Sequence, residues 1–161
     1  MTMRHGLPVT FLKPGDLLFA ERPTVVSTVL GSCVAVTLFS RHHRLGAICH
    51  AQLPTLREGA DAGERGGRFV DSSIRLLLEG LRARGVGRKE VVAKLFGGCD
   101  MFTPGEAGGI GKKNVEKALQ VLEAESVTVV ASDLGGTKGR KIFFYTHTGE
   151  VFLKHLGRVE Q

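Results

Sequence analysis

The chain is expected to fold as an α/β protein of the α+β type, with layered β-sheets and flanking helices. Three observations predict this. About seven short apolar runs are rich in β-branched residues, as strands are. Two stretches carry apolar residues at helical spacing. The composition, 42% hydrophobic and 24% charged over 161 residues, suits one soluble domain with its own core. A chain of this size buries about 70% of its unfolded surface, so 1–161 reads as a single domain.

The expected strands are, in order, 25–30, 34–39, 45–50, 91–96, 127–131, 142–146 and 151–156. The last two flank His147-Thr148-Gly149-Glu150, which reads as a hairpin loop. The first helix carries Ile74, Leu77, Leu78 and Leu81 on one face, with Asp71 or Ser72 as its cap and Gly85 as its stop. The second carries Val115, Ala118, Leu119 and Leu122 and starts near Gly111. Residues 55–68, rich in Gly, Glu, Asp and Arg without periodicity, read as a surface loop.

Composition also excludes. No apolar run approaches the roughly 18 residues of a membrane helix, so no membrane insertion is expected. Three cysteines at wide spacing do not form a disulfide framework and suit a reducing cytoplasm. The net charge of +6 fits an acidic partner, but the basic residues are dispersed and read mostly as solvated surface. With no Trp and one Tyr, stacking platforms are scarce and nucleic-acid binding is not expected. Phosphate motifs fail: Gly109-Ile110-Gly111 lacks the third glycine, at Asn114, and Gly111-Lys112 is followed by Lys113 where a P-loop needs Ser or Thr. Neither C-x-x-C nor H-x-x-x-H occurs, so no metal and no cofactor are expected, and His42-His43 reads as a solvated pair on a turn.

The informative stretch is Ser27-Thr28-Val29-Leu30-Gly31-Ser32-Cys33, followed by two strands around the polar turn Ser40-Arg41-His42-His43-Arg44. If the hairpin centres between Arg41 and His42, Cys33 and His50 sit opposite one another on one face. A thiol needs to lose its proton to become a nucleophile, and a neighbouring imidazole can take it and return it to a leaving group. Gly31 and Ser32 are small and let a substrate carbonyl approach backbone N–H groups. A third polar group is needed to orient the imidazole, and Ser27 and Thr28 are the nearest hydroxyls. Cys49 points away from His50 on the same strand and reads as core. Cys99 is a rival nucleophile without a nearby histidine. Spacing alone leaves a thiol protease or a transglutaminase-like enzyme open.

The stretch Leu30-Gly31-Ser32-Cys33-Val34-Ala35-Val36, with His50 and Leu53-Pro54 after it, closely resembles the CheD family of chemoreceptor glutamine deamidases. Segments 94–102, Ile110-Gly111-Lys112-Lys113-Asn114-Val115, Asp133-Leu134-Gly135-Gly136 and Thr148-Gly149-Glu150-Val151 extend the resemblance over nearly the whole chain. It implies layered sheets like those of glutamine-deamidating toxin domains. It implies a hydrolase with Cys33 as nucleophile, His50 as base and no cofactor. The family's third catalytic residue is a Thr six positions before the Cys; that position is Ser27 here, with Thr28 beside it, and Ser27 is favoured. Gly31, Ser32 and Thr28 are the expected substrate-binding residues. The implied substrates are glutamines of methyl-accepting chemotaxis receptors, and the CheC phosphatase is an implied partner. Two other activities follow from the resemblance: a largely non-catalytic module that regulates CheC, and hydrolysis of receptor glutamyl methyl esters.

Overall fold

The computed structural model of the chain describes residues 6–55, 66–100 and 109–158. Most of the expected loop at 55–68, and Met101-Phe102 of the 94–102 motif, lie outside the described residues. The strands are β1 (Val9–Phe11), β2 (Leu17–Ala20), β3 (Val25–Leu30), β4 (Val34–Ser40), β5 (Leu45–Ala51), β6 (Val92–Gly97), β7 (Thr128–Leu134), β8 (Lys138–Tyr145) and β9 (Val151–Arg158). The helices are α1 (Val70–Ala83) and α2 (Ile110–Ala124). Two one-turn 3-10 segments, Gly66–Arg68 and Arg88–Glu90, complete the elements among the described residues.

The strands form a four-stranded sheet, β1-β3-β8-β9, and a five-stranded sheet, β2-β5-β4-β6-β7. Alternation along the strands of the larger sheet gives it two apolar faces. One face, with Val34, Val36, Leu38, Cys49, Ala93 and Leu95, packs on Ile74, Leu77 and Leu81 of α1 and Ala118 and Leu122 of α2. The other, with Ala35, Ile48 and Phe96, packs on Val26, Leu30, Ile142 and Phe144 of the smaller sheet. The result is three layers, sheet on sheet on helices, which is the α+β architecture expected.

The seven expected strands are present, most extended by a few residues. Two more, β1 and β2, were not foreseen. Between them Lys13-Pro14-Gly15-Asp16 makes a tight turn, with the Asp16 N–H donating to the Lys13 carbonyl at 3.0 Å and Gly15 at φ +88°. Pro at the second position and a left-handed Gly at the third are what a type II turn requires. Helix α1 buries the four predicted residues. It starts two or three residues earlier than expected: Phe69 is its cap residue, and neither Asp71 nor Ser72 caps it. In α2 the buried stripe is Gly111, Asn114, Ala118, Val121 and Leu122, while Leu119 is exposed. The stripe is rotated from the one expected because Val115 and Leu119 flank it. One basic residue expected at the surface is not there. Arg140 is buried, its Nε 2.7 Å from Asp133 Oδ1 and its Nη2 donating to the Gly135 carbonyl.

Among the described residues, no helix is long and apolar enough to cross a membrane.

Candidate active site

The β4–β5 hairpin pairs Ser40 with Leu45 and Ala35 with His50. Its turn therefore centres between His42 and His43, one residue beyond the expected centre, and each pairing moves by two. His50 faces Ala35, not Cys33. A shift of two preserves the face, because side chains alternate with period two. Cys33 precedes Ala35 by two residues, immediately before the paired stretch, and packs on the same inter-sheet core.

His50 is held through its backbone and through one ring nitrogen. The N-terminal turn grips its backbone: Gly15 N–H donates to its carbonyl at 2.7 Å, and its own N–H donates to the Asp16 carbonyl at 3.2 Å. Its ring Nδ1 lies 2.7 Å from Thr28 Oγ1, and the same hydroxyl donates to the Leu12 carbonyl at 2.7 Å. A hydroxyl has one proton, and a carbonyl can only accept. The Thr28 proton is therefore committed to Leu12, and Thr28 receives the proton of His50 Nδ1–H. That fixes the tautomer and leaves the lone pair on Nε2. Nε2 is buried without a partner among the described residues. Burial lowers the imidazole pKa to about 4, with Asp16 pulling the other way. The ring is thus neutral at neutral pH, with its basic nitrogen free.

Cys33 is half-buried immediately before β4. Burial pushes its thiol pKa up, and its own backbone N–H draws it down. The other cysteines are placed differently. Cys49 is buried in the helix-side core, where Ser73 Oγ donates to its sulfur at 3.5 Å. Cys99 is buried, and its N–H donates to the Gly31 carbonyl at 2.9 Å.

Three parts of the chain converge on the Cys33 loop. Gly98 N–H donates to the Cys33 carbonyl at 2.8 Å. Asn114 Nδ2 donates to the Ser32 carbonyl at 2.9 Å and to the Gln52 carbonyl at 3.0 Å. Gly97 sits at φ +104°, and a Cβ there would run into the Cys33 carbonyl oxygen. Gly97→Ala therefore combines backbone strain with a backbone clash, neither relieved by a rotamer change. It is expected to cost about 3 kcal/mol or more. Thermal unfolding should show a loss of about 5–10 °C. A variant melting within about 2 °C of the parent would contradict the close approach.

Of the residues expected in the site, the structure brings Cys33, His50 and Thr28 to one inter-sheet face. Ser27 points the other way. It lies on the outer face of the smaller sheet, paired with Phe11 and Phe143. Gly31 is partly exposed and Ser32 exposed at the mouth of the Cys33 loop. His42 and His43 are exposed on the hairpin turn, with His43 Nε2 2.9 Å from Glu90 Oε1. Spacing did not reveal the Pro14-Gly15 turn, Gly97 or Asn114 as builders of the site. A signal existed for Asn114: read at i, i+4, i+7 and i+8 with Ala118, Val121 and Leu122, it is a polar residue in an apolar stripe.

Comparison with known proteins matches residues 52–155 to the family model described as CheD chemotactic sensory transduction. A probable chemoreceptor glutamine deamidase CheD 2 of Geobacter sulfurreducens is 52% identical over 164 residues, covering 99% of this chain and 98% of the relative. A probable chemoreceptor glutamine deamidase CheD of Maridesulfovibrio salexigens is 44% identical, covering 91% of each chain. One from Thermococcus kodakarensis is 40% identical over 87% of this chain and 88% of the relative. The family model starts beyond Cys33 and His50, but the first relative aligns over nearly the entire chain and so takes in both. With the family model matching well over half the length and relatives this similar end to end, the chain belongs to the CheD family.

Proposed function

We propose that this protein is a protein-glutamine glutaminase acting on chemoreceptors in the cytoplasm, with 1–161 as one catalytic domain. The relatives' names supply the substrate class. The observation that carries the chemistry is His50: its Nδ1–H is held by Thr28, and its Nε2 is left free on the face shared with half-buried Cys33.

The steps follow from that arrangement. A receptor glutamine enters with its carboxamide carbon over the Cys33 sulfur. Both groups start neutral, because burial raises the thiol pKa and lowers the imidazole pKa. Proton transfer from sulfur to His50 Nε2 therefore accompanies attack instead of preceding it. The tetrahedral oxyanion faces the backbone N–H of Cys33. His50 returns the proton to the nitrogen, the C–N bond breaks, and ammonia leaves a thioester. Water, deprotonated by the same Nε2, cleaves the thioester and yields glutamate and the free thiol. Thr28 keeps the ring in one tautomer throughout. Ser27, on the opposite face of β3, takes no part. The glutamate product carries a negative charge and becomes available for methylation during adaptation.

Incubating the protein with a receptor cytoplasmic fragment tests this. Each converted glutamine should gain about 1 Da and release one ammonia, as amide hydrolysis requires. A receptor of unchanged mass after many hours would overturn the reading.

A further inference from the structure

Asn114 is a buried polar side chain that sequence reading gave no role. It is fully buried in the first turns of α2. Both hydrogens of its amide are used: one on the Ser32 carbonyl at 2.9 Å, the other on the Gln52 carbonyl at 3.0 Å. Two acceptors facing Nδ2 settle which end is nitrogen, since a flipped amide would set oxygen against two carbonyl oxygens. Oδ1 is buried with no hydrogen-bond partner among the described residues. Leaving such an atom unpaired costs free energy.

The two acceptors are significant positions. Ser32 directly precedes Cys33. Gln52 lies two residues after His50. One side chain thus ties the nucleophile's loop to the end of the base's strand. The Ser32 tie reaches further, because a trans peptide is planar and its C=O and N–H point in opposite directions. Fixing the Ser32 carbonyl fixes the direction of the Cys33 N–H. That N–H draws the thiol pKa down, against the larger rise from burial. A hydrogen bond accepted by the Ser32 carbonyl also polarises the peptide and makes its N–H a stronger donor.

We propose that Asn114 is a positioning residue for deamidation: through Ser32 it aims the Cys33 N–H as the oxyanion donor, and through Gln52 it holds that donor in register with His50. This rests on the Cys33–His50 reading above. It differs from a packing role in what it predicts for the transition state. Substrate binding should change little, while turnover should fall.

Asn114→Asp tests this with an isosteric side chain. An ionised carboxylate cannot donate and repels both carbonyls; a protonated one donates a single hydrogen bond. At pH 8, kcat should fall about 100-fold, as for loss of an oxyanion donor, with KM within about threefold of the parent. As the pH is lowered the buried carboxyl takes up a proton and turnover should rise, whereas the parent's does not. Circular dichroism at each pH confines the comparison to folded protein, and iodoacetamide titration of Cys33 counts competent sites. If the Asp variant does not fold, Asn114→Ser keeps one short donor and should lose about 10-fold in kcat at unchanged KM. A folded variant with kcat within about twofold of the parent and the parent's pH profile overturns the proposal. Parent protein and Cys33→Ala run alongside. If the parent is inactive, the deamidase reading fails; if the alanine variant turns over, Cys33 is not the nucleophile and this proposal falls with it; if both behave as expected and the Asn114 variants are fully active, only the role of Asn114 fails.

Discussion

Cys33→Ala should lower glutamine conversion by about 10⁴-fold or more while leaving the protein folded. No other cysteine can substitute. Cys49 faces the helix side of the larger sheet, on the opposite face from His50, and is fully buried. Cys99 is buried in the turn after β6. Burial raises the thiol pKa of both, so neither supplies thiolate readily. Cys33 alone of the three is partly exposed. Its truncation removes little packed surface, so the variant should melt within about 3 °C of the parent. Iodoacetamide should label the parent on Cys33 and leave the folded alanine variant unlabelled. Receptor mass, read against time, is the decisive measurement. Conversion by the alanine variant within about tenfold of the parent would remove Cys33 from the chemistry.

Much of this site was legible in the sequence, and the parts that were not share a cause. A β-branched run announces a strand, so β3, β4 and β5 were readable. The turn between β4 and β5 is a string of polar residues, and nothing local says whether it centres before or after His42. The error of two residues did no harm, because an even shift leaves Cys33 and His50 on one face. The third hydroxyl was a harder question. Ser27 and Thr28 are adjacent, so they point to opposite faces of β3. Which face meets β5 depends on how two sheets stack, a fact that strand composition does not contain. The stacking puts Thr28 on His50.

The strands that were not foreseen, β1 and β2, are only three and four residues long and too short to show a period. They nonetheless bring the Leu12 carbonyl to Thr28 and the Gly15-Asp16 backbone to His50. Gly97 acts through close backbone approach and Asn114 through side-chain hydrogen bonds to backbone, both between segments far apart in the chain. Their residue types hint at such contacts, but the partners appear only in three dimensions.

His50→Gln should separate chemistry from stability in one variant. Turnover at pH 7 should fall about 10³-fold, because the base and the proton donor to ammonia are both lost. The pH dependence of folding should change in the opposite sense. In the parent, burial holds His50 at a pKa of about 4, below its ordinary value of 6.5. Between these values the unfolded chain binds a proton that the folded protein excludes. Stability from this group is therefore complete above about pH 6.5 and is lost as the pH falls towards 4, by about 3 kcal/mol in all. Glutamine does not titrate, so the variant should lack this acid limb even if its stability at pH 7 is lower. Urea unfolding at pH 7.5, 5.5 and 4.5 measures the difference. The parent should weaken more steeply across the series than the variant. Equal slopes would mean that the folded protein binds the proton as readily as the unfolded chain, and that His50 is open to water. Its Nε2 would then be solvated and not a free, sheltered base, and proton transfer from Cys33 would have to be assigned to another group.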